Sequence, residues 1–139
     1  MYSKAMLSLE QTQKAMQAMI DKATQEPDRP VAIAIVDDAG NLLSYARMDN
    51  CRPNPQTFAT RKAYTAALSG VDSAVYAERL KSQGRSVSDT GNPNLVSAQG
   101  AVAIIDPQTK AILGGIGVSG LAAQEDEDLA RLGAQSLGL

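Results

Sequence analysis

The chain has 139 residues, one cysteine and no histidine, with a net charge of −2 and a pI near 5.0. That length suits one domain with a modest core, light in rings because aromatics make up only 4% of residues. No basic run marks a nucleic-acid surface, and no apolar stretch approaches the roughly 20 residues that cross a bilayer.

Without histidine, one chain cannot build a Ser-His-Asp triad, a Cys-His dyad or a histidine-ligated zinc site. Chemistry falls to carboxylates, Lys, Tyr, Arg, Cys51 or a bound cofactor. A lone Cys51 forms no internal disulfide and suits a reducing compartment. The start, Met1-Tyr2-Ser3-Lys4-Ala5, carries no apolar signal core, so a cytoplasmic location is expected.

Ser8-x-x-Gln11 predicts a capping box, opening a helix with Leu9, Thr12, Met16, Met19 and Ala23 on one face and a stop before Pro27. Met6, Met16 and Met19 read as flexible core filling or as the lining of a ligand cavity. Residues 31–36 and 42–48 predict a β-hairpin around the turn Asp37-Asp38-Ala39-Gly40-Asn41. Residues 56–68 predict a helix with the small-residue face Ala59, Ala63, Ala66 and Ala67, stopped at Gly70. Asp72 is expected to cap a second helix through Leu80, and Leu95-Val96 to begin a short strand. A second hairpin, 101–105 with 111–118, is apolar almost throughout, as strands central to a covered sheet are. A last helix from about residue 123 carries Leu129, Leu132 and Ser136 on one side. This order predicts a single α+β domain, residues 1–139, with an antiparallel sheet packed against helices.

Gly115-x-Gly117-x-x-Gly120 satisfies the dinucleotide-binding fingerprint, but its context excludes that reading. The residues after Gly120 leave room for one helix and no further strand. The carboxylates Glu125, Asp126, Glu127 and Asp128 would also repel a pyrophosphate. These four diverge around a helix, so no metal site is expected of them.

Three segments together resemble the GlcG/HbpS-like family, which includes the C-terminal domain of PduO-type proteins. They are residues 31–49, centred on Asp37-Asp38-Ala-Gly40 and ending Arg47-Met48-Asp49; Arg61-Lys62-Ala63-Tyr64-Thr65-Ala66-Ala67; and Gly114 to Gly120 with Gln124-Glu125-Asp126-Glu127. The resemblance runs from the first helix to the C-terminus. It implies a profilin-like fold, a homo-oligomer that is dimeric or larger, and a small-molecule ligand, with haem or another tetrapyrrole among the candidates. Two departures stand out. Relatives usually show Gly-Gly-x-Pro-Ile where this chain reads Gln99-Gly100-Ala101-Val102-Ala103-Ile104, and histidine ligation of haem has no residue to draw on. A Tyr, a Met or Cys51 would have to bind the iron.

Candidate site residues follow from chemistry and resemblance together. Arg47 offers a two-pronged guanidinium to a ligand carboxylate or pairs with Asp49. Arg47 and Arg52 would lower the pKa of the Cys51 thiol if they approach it, but with no base partner or second cysteine an inert thiol is the expectation. Lys62 and Thr65 share a helix face, and an inward Lys62 suits proton transfer or substrate binding. Ser119 with Gly117 and Gly120 forms a nest for a small anion or a carbonyl oxygen. Arg47, Asp49, Lys62, Thr65, Gly117 and Ser119 are therefore the expected ligand contacts, with the first helix as an apolar wall. A cofactor-free lyase, isomerase or hydrolase would use Lys62 with Glu125 or Asp126 as acid and base. A non-catalytic assembly or sensor protein is the remaining reading.

Overall fold

A computed structural model describes residues 1–139. Its elements are α1 (Leu9–Ala23), β1 (Ala32–Asp37), β2 (Leu42–Arg47), α2 (Pro53–Ser69), α3 (Ser73–Ser82), β3 (Ala101–Ile105), β4 (Ile112–Ser119) and α4 (Ala123–Gln135). A 3₁₀ turn, Val87–Thr90, interrupts the long connection before β3. The strands form one antiparallel sheet in the order β2-β1-β4-β3. Helices α2 and α3 pack on one face, and α1 and α4 on the other.

Alternation along β1 divides the core. Val31, Ile33 and Ile35 join Met16, Met19, Ile116, Val118 and Leu129 beneath α1 and α4. Ala32, Ala34 and Val36 meet Ala59, Ala63 and Ala67 of α2. The capping box forms as expected: the Gln11 N–H donates to the Ser8 hydroxyl at 3.1 Å, and the Ser8 N–H donates to Gln11 Oε1 at 2.9 Å. Gly70 closes α2 in the left-handed conformation, at φ +71°.

The glycines of β4 set how closely α2 can lie. A Cβ on Gly115 would fall 2.4 Å from the Ala63 carbonyl oxygen, and one on Gly117 would fall 2.2 Å from that of Ala59. Two of the three fingerprint glycines thus admit a helix backbone rather than a phosphate.

Several expectations change. Strand β3 is an edge strand, apolar because α2 and α4 both reach over it. Leu95-Val96 starts no strand, and the Val96 N–H instead donates to Thr65 Oγ1 at 3.0 Å. Asp72 occupies the N-cap of α3 without capping it. Its carboxylate accepts from the Ala103 N–H at 3.1 Å and from Arg131 at 2.8 Å, tying α3 to β3 and α4. Leu9 and Met6 are exposed, while Met16 and Met19 fill the core rather than line a cavity.

Candidate ligand-binding site

Lys62 projects from the middle of α2 and is only 5% exposed. Its ammonium donates to the Val118 carbonyl at 3.1 Å and to Asp126 Oδ2 at 3.3 Å. Asp126, 2% exposed, lies in the first turn of α4 and also accepts from the Leu121 N–H at 2.9 Å. Burial pushes the Asp126 carboxyl up, against the pull of the Leu121 N–H and the Lys62 ammonium. The lysine passes where a side chain on residue 100 would stand: a Cβ on Gly100 would lie 2.6 Å from Lys62 Nζ. The pair ties α2 to α4 around the end of β4.

The other expected residues divide. Thr65 is fully buried and spent on structure, donating to the Arg61 carbonyl at 2.8 Å while accepting from Val96. Gly117 is paired in register with both Ala34 and Ala101 and lies beneath α2, so it presents no nest. Glu125 turns away from Lys62 and takes a two-pronged ion pair from Arg29, at 2.7 and 2.8 Å. Arg47 donates to the Gln56 side chain, and Gln56 in turn donates to the Cys51 carbonyl at 3.1 Å. It does not pair with Asp49, which is exposed. The Cys51 thiol is pushed up by burial, which outweighs the pull of Arg47 and Arg52, in keeping with the inert thiol rather than the reactive thiolate.

A groove of about 450 Å³ opens between the end of α1 and the strands β1 and β2. Ile20, Val31, Ile33, Ala46 and Met48 give it an apolar lining, and Thr24, Asp28, Arg47, Asp49 and Asn50 add polar groups. The Met48 sulfur accepts from the Val31 N–H at 3.4 Å. A neighbouring groove of about 380 Å³ between α1 and α4 shares Val31 and is bridged by the Arg29–Glu125 pair. Neither groove is lined by Lys62, Thr65, Gly117 or Ser119. Of the expected contacts, Arg47 and Asp49 alone share a groove with α1.

Sequence reasoning missed Met48, Ile20 and Gln56. Met48 was legible only as the middle of Arg47-Met48-Asp49. Ile20 falls outside the expected helix face, because the groove is reached from the flank of α1. Gln56 carried no signal in the sequence.

Known proteins support the same architecture. The family model described as haem degrading protein HbpS-like matches residues 7–135. Protein GlcG of Escherichia coli K12 is 37% identical over 120 residues, which is 86% of this chain and 85% of that protein. A double mutant of Streptomyces reticuli HbpS superposes with a TM-score of 0.87 at 31% identity, covering 100% of this chain and 92% of that one. A haem complex of PduOC superposes at 0.83 with 22% identity over 95% of both chains, a likeness of fold. With nearly its whole length matched by the family model, the chain belongs to the HbpS-like family.

Proposed function

We propose that the protein binds a tetrapyrrole, haem foremost, in the groove between α1 and β2, with a second copy of the chain closing the open side. The observation that carries this reading is the groove's chemistry: an apolar floor of Val31, Ile33, Ala46 and Met48 with the polar Thr24 and Asn50 at its rim. A macrocycle asks for apolar walls, and its propionates for polar groups at the rim. Haem, when bound, would supply a redox-active iron. The residue that would hold that iron in this groove is Met48, whose thioether sulfur keeps a second lone pair beyond the Val31 N–H. Ile20 and Thr24 of α1 would hold the ring's edge.

Family membership supports the ligand class, and the edge strand β2 supports the assembly. Leu42, Leu43 and Tyr45 are exposed along an unpaired sheet edge, with Leu68 of α2 also exposed. Titration of purified protein with haemin, followed by absorbance, tests the reading. A saturable Soret shift is expected, with Met48→Ala changing the band position and Ile20→Glu weakening binding about tenfold or more. A linear, non-saturating response in the wild type would refute it.

A further inference from the structure

On the opposite face of the same strand end, a second set of groups converges. Arg47 is paired in register with Ala32, and Ala32 with Ser119, so the three form one row across the sheet. Ala32 packs in the Ala59/Ala63 cluster, which places the row on the α2 face. Arg47 and Ser119 therefore stand about two strand spacings apart, roughly 10 Å between Cα atoms. Gly117 lies under Ala59, so Ser119, two residues further along β4, lies under the first turn of α2.

That first turn is built to receive negative charge. It has no acidic residue and no side-chain cap, and its N-cap is Arg52. Pro53 and Pro55 carry no N–H, which leaves the Asn54 N–H as a donor without a partner in the protein. Arg47 reaches the Gln56 side chain in this same turn and Arg52 opens it, so two arginines stand at this corner. Ser119 supplies the independent observation. It is 8% exposed, and its hydroxyl makes no hydrogen bond within the protein. No enclosed side-chain polar atom lacks a partner, so this hydroxyl opens to the outside beneath the helix end.

We infer that this corner is a binding site for the carboxylate group of a small organic acid. Arg52 and the helix end supply the charge, the Asn54 N–H and the Ser119 hydroxyl supply directed donors, and Arg47, held by Gln56, closes the row. Two directed donors, the Asn54 N–H and the Ser119 hydroxyl, match the two oxygens of a carboxylate better than the three of a phosphate. The site lies across the sheet from the α1 groove and does not depend on a tetrapyrrole.

The test is an amide and arginine-side-chain NMR titration with sodium acetate, at an ionic strength held constant with chloride. A saturable shift of the Asn54, Ser119 and Arg52 signals is expected. Arg52→Gln should weaken it about tenfold, in line with loss of a charge-assisted hydrogen bond. Ser119→Ala should weaken it severalfold at unchanged melting temperature, because that hydroxyl has no partner to lose. Shifts that chloride reproduces, or that never saturate, would overturn the proposal. Tighter saturation with inorganic phosphate than with acetate would overturn the carboxylate assignment. Neither result bears on haemin binding, which the absorbance titration reads separately.

Discussion

Lys62 and Asp126 show how burial decides what a charged pair does. Both are under a tenth exposed, and each bonds the backbone as well as its partner. Removing one member strands the other in a low-dielectric interior, which costs about 3–5 kcal/mol. Lys62→Met should therefore lower stability by that order in a denaturant melt, and Lys62→Met with Asp126→Leu should recover much of the loss. The pH dependence follows from Asp126, whose carboxyl is held above its ordinary value of 3.8. Such a group binds more protons folded than unfolded, so its contribution is greatest in acid. That contribution declines as pH climbs from about 4 through the raised value. Melting temperatures of wild type and Asp126→Asn, compared from about pH 4 upward, should show the wild type losing ground. The wild type gaining ground over that range would contradict a raised carboxyl. The sequence offered Lys62 as an inward or a solvated lysine, with Glu125 or Asp126 as its partner, and only packing chose the buried pair. Nor did the sequence reveal the closure by Gly100, whose missing side chain leaves room for the lysine.

At the scale of elements, the small-residue face of α2 and the glycines of β4 are one feature. Ala59, Ala63 and Ala67 were readable as a helix face, and Gly115 and Gly117 as close-approach residues. That the two sets meet depends on register between segments about 50 residues apart in the chain, which local pattern does not encode. Gly117→Ala would drive a methyl to 2.2 Å from the Ala59 carbonyl oxygen. With backbone on both sides to move, the loss should be about 3 kcal/mol or more, at the upper end of overpacking. Gly84→Ala, where nothing lies within 4 Å but φ is +64°, should cost less, about 1 kcal/mol. Equal destabilisation by the two would show that α2 is free to move away from the sheet. The edge position of β3 was hidden for a related reason: an apolar strand reads as central, whereas in this fold two helices cover an edge.

For the whole molecule, order and type of elements were legible because capping boxes, turn residues and alternation are local signals. The binding groove was not, since Ile20, Val31 and Met48 come together only once α1 crosses the hairpin. Assembly belongs to this scale as well. If a second copy covers the β2 edge, Leu43→Glu with Tyr45→Lys should shift light-scattering mass toward the monomer at unchanged secondary structure. An unaltered mass would place the interface elsewhere. The α1 groove itself is tested most directly by methyl NMR with zinc protoporphyrin, a diamagnetic stand-in for haem. Saturable shifts should concentrate at Ile20, Val31, Ile33, Ala46 and Met48. Shifts centred on Leu80, Val87 and Leu95, or none at saturating ligand, would contradict the account.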